Sequence, residues 1–146
     1  MDKYIAIIEL PYGKKDYLKS FDKETKEIET TSLIQNAILI NEEEKSKVRY
    51  NIRKTFPSYS FKLVKLAKYN GFFTPITSKI DEIFPNHQYD YGSMLNWKNN
   101  NDEPSLVAKE IAKSNAISDL KTFDEFAEYV ANAIGEKHNL KKEGEA

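Results

Sequence analysis

The chain has 146 residues, of which 31% are charged, 12% aromatic and none cysteine, and its net charge is −1. This length suits one ordinary domain, whose folding removes roughly 68–70% of the surface that the unfolded chain exposes. The absence of cysteine excludes disulfides, iron–sulfur clusters, thiol nucleophiles and cysteine-ligated zinc, and it fits a reducing cytoplasm. Charge is uneven, because residues 1–70 carry 14 basic and 10 acidic side chains, whereas residues 71–146 carry 8 and 13.

The first predicted element is a β-strand over Lys3–Leu10. Three isoleucines surround Ala6 in this run, which is typical of a central strand that is buried on both faces. The run is broken by Glu9 and ended by Pro11, so it is too short for a signal-peptide core or a membrane span. We therefore expect a cytoplasmic protein with no membrane association.

A β-hairpin and a short strand are predicted next. Asp16–Phe21 and Lys26–Thr31 flank the polar loop Asp22–Thr25, which has the length of a hairpin connection. Ser32–Asn36 favours a single helical turn, and the apolar run in Ala37–Ile40 favours a short buried strand.

A helix is predicted from about Glu42 to Thr55. Asn41 lies at the N-cap position with Glu44 three residues later, and Pro57 ends the helix. Apolar residues at four-residue spacing give it a core-facing side: Val48, Ile52 and Phe56. A last strand, Tyr59–Tyr69, closes this β-rich half.

The second half is predicted to be helical after an irregular start. Residues 72–101 form an aromatic-rich connector, in which Ser78–Phe84 favours one turn of helix. Pro104–Ser118 predicts a helix with proline at its first position. A final helix starts at the capping box of Thr122 and Glu125, and its apolar stripe comprises Phe123, Phe126, Ala127, Val130 and Ile134.

These elements predict an α+β fold. An N-terminal antiparallel sheet with one packed helix occupies residues 1–70, and the aromatic connector with two C-terminal helices occupies residues 71–146. The two parts are expected either as separate domains or as one continuous domain.

The sequence offers little for catalysis. Its five glycines are far apart, so it has no glycine-rich phosphate loop. A metal or acid–base site would have to be built around His87 from Asp81, Glu82 or Asp90, and this spacing matches no known ligand motif. We therefore expect no enzyme activity, no metal and no cofactor, with chemistry through His87 and Asp90 as the least favoured hypothesis.

Two surfaces could bind a partner. Connector aromatics and acidic residues of the last helix favour a protein interface, because aromatics anchor interfaces and charge selects partners; its members are Tyr89, Tyr91, Trp97, Asp124 and Glu128. The alternative is nucleic-acid binding by basic residues interleaved with aromatics, namely Lys45, Arg49, Arg53, Lys62 and Lys65. Solvation of an ordinary helix face is the simpler explanation for either set.

The stretch Tyr17–Glu29, followed by a strand, a capped helix and Lys62–Leu66, resembles the small accessory proteins of phages and mobile elements in AT-rich Gram-positive bacteria. The resemblance covers the first half of the chain and carries over no active-site residue. It implies a non-enzymatic early protein in the host cytoplasm that binds and modulates a host protein, with inhibitors of host defence among the members of this group.

Overall fold

The computed structural model describes residues 3–22, 24–66, 73–87 and 115–142. These residues form an antiparallel sheet of five strands and three α-helices, which confirms the predicted α+β class. The strands are β1 (Lys3–Glu9), β2 (Lys15–Phe21), β3 (Ile28–Thr31), β4 (Ile40–Asn41) and β5 (Phe61–Lys65). The helices are α1 (Lys45–Thr55), α2 (Phe73–Ile83) and α3 (Phe123–Lys137).

The chain divides into two compact units. The first comprises Met1–Leu66 with Ser118–Asp124, and the second comprises Ala67–Ile117 with Glu125–Ala146. The first unit contains the whole sheet and α1, so a short segment from late in the sequence completes a unit formed mainly by the start of the chain.

Strand β1 lies at the centre of the sheet. It pairs antiparallel with β2, β4 and β5, while β3 pairs with β2. Residues Lys3 to Ile8 are all buried, as expected for a central strand that is covered on both faces. Lys3 keeps a polar partner despite its burial, because its Nζ donates to the carbonyl oxygen of Leu120 at 3.4 Å.

Helix α1 covers one face of the sheet. Its Val48 and Ile52 are buried in a cluster with alternate residues of β1, namely Tyr4, Ala6 and Ile8. A 3₁₀ turn over Glu42–Glu44 precedes the helix, and Glu44 Oε1 accepts from the Asn41 amide at 3.3 Å. The helix ends at Thr55, two residues before Pro57. The predicted cap position, core face and end of this helix are therefore confirmed.

The predicted hairpin forms, with a six-residue connection between β2 and β3. Asp22 Oδ1 accepts from the amides of Glu24 at 2.8 Å and Thr25 at 3.2 Å. This Asx turn explains why the loop folds tightly without glycine. The backbone hydrogen bonds from Glu24 and Thr25 lower the pKa of the Asp22 carboxyl, because they favour its charged form.

Residues 118–124 complete the edge of the first unit. The Leu39 amide donates to the Lys121 carbonyl and the Phe123 amide donates to the Ala37 carbonyl, both at 2.8 Å. Ile38 and Thr122 form an isolated antiparallel bridge at the same place. These contacts occupy the run that was predicted as a strand over Ala37–Ile40, where the structure has this bridge and then β4.

The second unit contains α2 and most of α3. The aromatic ring of Phe84, just after α2, lies directly against Gly135 of α3, where a Cβ atom would clash with it. The predicted apolar stripe of the last helix is confirmed, since all five of its residues are buried. At its end Asn139 has a φ of 55°, and Leu140 donates to Gly135 in a Schellman-type cap.

Several boundaries differ from the predictions. Helix α2 starts at Phe73, five residues before the predicted turn at Ser78, because Pro75 falls within its first turn and is tolerated there. Strand β5 starts at Phe61, since residues 57–59 form a turn after α1. The helix predicted over Pro104–Ser118 lies mostly outside the described residues, and only a 3₁₀ helix over Asn115–Asp119 is described there.

Candidate functional site

The first unit has a groove between α1 and β5. It has a volume of about 720 Å³. We call it the basic groove, and its lining residues are Arg49, Arg53, Pro57, Tyr59, Ser60, Phe61, Lys62 and Leu63. Three of the five residues predicted for nucleic-acid binding therefore lie together.

The helix places two arginines on the same side of the groove. Arg49 and Arg53 are four residues apart, so they lie one above the other on one face of α1. Both are exposed, whereas Val48 and Ile52 point to the core. In the described ranges no carboxylate forms an ion pair with either guanidinium. Both charges are therefore available to a ligand.

Aromatic rings form the opposite side of the groove. The Arg53 guanidinium lies over the Phe61 ring, 5.6 Å from its centroid, a cation–π geometry that fixes the arginine near the strand. Tyr59 stacks on Phe56 with ring centroids 6.0 Å apart. Tyr59 is still 39% exposed, so part of its ring remains available for stacking.

The strand register explains which residues of β5 contribute. Phe61 and Leu63 pair with Ile8 and Ala6, on the sheet face that α1 covers. Lys62 pairs with Ile7, so strand alternation places it on the other face, at the edge of the groove. The two arginines are therefore the central charges of the groove, with Lys62 at its margin.

The other two predicted basic residues are placed elsewhere. The Lys45 ammonium lies 4.3 Å from the centroid of the Tyr4 ring and 3.2 Å from the Glu42 carboxylate. Lys65 is half-buried at the end of β5 and does not line the basic groove. Lys45 therefore lies at the start of α1 and, like Lys65, is not among the residues that line the basic groove.

Of the predicted protein-binding residues, only the acidic pair is described. Asp124 is half-buried and Glu128 is exposed, four residues apart near the start of α3. Tyr89, Tyr91 and Trp97 lie outside the described residues.

His87 forms a pair with Asp81, one of the three carboxylates that the sequence offered as its partners. Its Nε2 lies 3.0 Å from Asp81 Oδ1, while Asp90 lies outside the described residues. Within the part of the chain that the structure describes, no group of three or more acidic or histidine side chains is placed to hold a metal ion. In that same part, no helix is long and apolar enough to cross a membrane.

No protein-family model, curated protein or solved structure matches the chain. Any function proposed for the chain is therefore inferred from its side chains, beginning with those of the basic groove. Sequence patterns indicated the two arginines of the groove and Lys62. They did not indicate Phe61, whose part in the groove depends on how β5 pairs with β1, or Pro57, which lies in the turn after α1.

Proposed function

We propose that this chain is a non-enzymatic accessory protein that binds single-stranded nucleic acid in the basic groove. The observation that supports the proposal is the meeting of Arg49 and Arg53 with the exposed ring of Tyr59 in one concavity. Guanidinium groups bind backbone phosphates, while an aromatic face stacks on an unpaired base without sequence preference. Single strands are favoured over duplexes because their bases are free to stack.

Binding of this kind depends strongly on salt. For single strands the logarithm of the binding constant falls with the logarithm of salt concentration with a slope of about −0.7 for each phosphate neutralised. Two arginines alone give a slope of about −1.4 by that rule. Fluorescence anisotropy with a labelled oligonucleotide at several salt concentrations measures this slope.

A matched pair of variants tests the site. Arg53 lines the groove, whereas the neighbouring Lys54 is exposed on α1 and does not line it. Arg53→Ala and Lys54→Ala remove the same charge, so a non-specific attraction would weaken equally in both. We expect Arg53→Ala to lower affinity several-fold and flatten the salt slope, and Lys54→Ala to leave both nearly unchanged. Equal effects of the two variants, with unchanged circular dichroism spectra, would contradict the proposal.

A second candidate function is capture of a host protein by the acidic start of α3. The supporting observation is that Glu125 and Glu128 are exposed on a helix whose other side is buried. Double charge reversal, Asp124→Lys with Glu128→Lys, should abolish nuclease-resistant capture of a protein from a Gram-positive lysate without changing the circular dichroism spectrum. Retained capture would remove this helix from the interface.

Both proposals place the protein in the cytoplasm, which would be that of the host cell for a phage-encoded chain. The absence of cysteine from the sequence supports this location, since disulfides are rare in proteins of reducing compartments. Phage or mobile-element origin stays a prediction, based on the resemblance of the first half of the chain to the accessory proteins of phages and mobile elements.

A further inference from the structure

A second concavity of the first unit lies between the β2–β3 hairpin and α1. It has a volume of about 320 Å³, at the lower end of the range of small-molecule pockets. We call it the hairpin pocket, and its lining residues are Phe21, Lys26, Ser46, Lys47, Tyr50 and Asn51. None of these residues lines the basic groove.

One lining residue, Asn51, carries a buried hydrogen-bond acceptor without a partner in the described part of the chain. The residue is only 3% exposed, and its Nδ2 donates to the Lys47 carbonyl at 2.9 Å. Its Oδ1 is buried and has no hydrogen-bond partner in the described residues. Native proteins rarely leave a buried acceptor without a donor, so this atom can accept from an N–H or O–H group of a ligand or of a water.

The rest of the lining supplies positive charge and aromatic surface. Lys26 and Lys47 are exposed and, within the described ranges, neither forms an ion pair. Asp22, an acidic residue of the hairpin loop, is already engaged by backbone amides. Phe21 and Tyr50 add two rings, and Tyr50 is 59% exposed. Among the described lining residues there is no carboxylate.

The buried acceptor, the two aromatic rings and the two lysines match three parts of one ligand. A planar base with an exocyclic amine can donate to an acceptor, stack on aromatic rings and carry a phosphate that lysines attract. We propose that the hairpin pocket binds a nucleoside phosphate whose base amine donates to Asn51 Oδ1 and whose phosphate lies near Lys26 and Lys47. Because Oδ1 is closed to solvent, binding requires a side chain around Asn51 to move, as interface side chains commonly do.

The inference does not depend on the proposed function, since the two sites share no lining residue. The nucleotide could be free in solution or could be an unpaired base of a strand. Arg53→Ala separates the two sites, because it weakens oligonucleotide binding in the groove and leaves binding of a free nucleotide unchanged.

Isothermal titration of the full chain with three ligands tests the proposal. AMP carries the amine, purine riboside 5′-monophosphate lacks only the amine, and ribose 5-phosphate lacks the base. We expect AMP to bind about tenfold more tightly than purine riboside monophosphate, the order expected for one hydrogen bond to a buried acceptor, and ribose phosphate to bind least.

Variants of the lining residues test whether the nucleotide binds in the hairpin pocket. Asn51→Leu is close in shape and removes the acceptor, so it should abolish the preference for AMP, while Lys47→Ala weakens both nucleotides and Lys54→Ala weakens neither. If free AMP does not bind, an oligodeoxyadenylate whose affinity drops in Asn51→Leu assigns the pocket to a base in a strand. Equal affinity for AMP and purine riboside monophosphate, or no Asn51-dependent binding of either AMP or the oligonucleotide, overturns the proposal. The ligand comparison uses the unchanged chain and stands even if Asn51→Leu fails to fold.

Discussion

Tyr12 has an unfavourable backbone conformation for its residue type. In the turn between β1 and β2 its φ is 63° and its ψ is 29°, and its side chain is 98% exposed. A left-handed conformation costs a bulky residue about 1 kcal/mol, and an exposed ring recovers none of this by packing. The Glu9 amide donates to the carbonyl of Ser60 at 2.8 Å, so the turn lies at the same end of the sheet as the basic groove.

We therefore predict two effects of Tyr12→Asn. Asparagine tolerates this conformation better, so the free energy of unfolding should rise by about 0.5–1 kcal/mol. Loss of the ring should lower oligonucleotide affinity if Tyr12 extends the stacking surface of the groove. Urea denaturation and fluorescence anisotropy measure the two quantities. Tyr12→Phe keeps both ring and strain and should change neither; unchanged affinity in Tyr12→Asn would separate Tyr12 from the groove.

The carboxyl of Asp22 makes the stability of the folded chain depend on pH. The amides of Glu24 and Thr25 lower the pKa of its carboxyl below the ordinary value of 3.8. A lowered pKa in the folded state means that the carboxylate stabilises the fold above the unfolded-state pKa, and that this contribution is lost as pH falls through the folded-state value. Carbon-detected NMR titration should give a midpoint below 3.8 for Asp22. Between about pH 2 and pH 5, the stability of Asp22→Asn should vary less with pH than that of the parent chain; identical pH profiles would contradict this.

At the scale of elements, close packing leaves no room for a side chain at Gly135 of α3. Glycine in a helix interior costs about 1 kcal/mol relative to alanine, yet a Cβ at Gly135 would clash with the ring of Phe84, which is itself buried. We predict that Gly135→Ala destabilises the protein by about 1–2 kcal/mol, because overpacking exceeds the gain in helix propensity. Thermal unfolding measures the change. Glu136→Ala, at the exposed neighbouring position, is the control and should stay within about 0.5 kcal/mol of the parent; a stabilised Gly135→Ala would mean that the Phe84 ring moves freely.

Sequence patterns located the elements that have strong local signals. The cap at Asn41, the stop at Pro57 and the start after Thr122 are all set by neighbouring residues, and the structure has helix boundaries at these positions. Helix α2 was harder to predict, because Phe73–Ile83 includes a proline and two threonines, which are poor helix formers. Ile76 and Ile80 of this helix are buried, as is Phe84 just after it, which shows that packing outweighs these preferences.

The two candidate sites also differ in how far local sequence signals could indicate them. The charges of the basic groove could be predicted because Arg49 and Arg53 belong to one helix face. The hairpin pocket could not, because Phe21 and Lys26 meet Asn51 only once the hairpin and α1 have packed together. Nothing in the sequence around Asn51 indicates that its oxygen is left without a donor, since this depends on every residue packed around it.

At the scale of the whole chain, the first unit depends on a segment far away in sequence. Residues 118–124 supply partners to Lys3, Ala37 and Leu39, all of which are buried. No periodicity or capping signal could indicate this pairing, because it joins positions about 80 residues apart or more, and local patterns carry no such information. A fragment that ends near residue 70 would leave these three polar groups unpaired.

We predict that a fragment of residues 1–70 is markedly less stable than the same unit within the full chain. Each hydrogen bond that is lost costs about 0.5–1.5 kcal/mol net, so three of them together are a large part of the 5–15 kcal/mol total stability of a typical domain. A matched fragment with residues 118–124 appended through a glycine–serine linker should recover the urea midpoint and the dispersed amide spectrum of the sheet. A fragment with residues 118–124 in scrambled order is the control for added length. If residues 1–70 alone already gave the native spectrum and midpoint, the late segment would be an accessory to a self-sufficient sheet rather than part of its core.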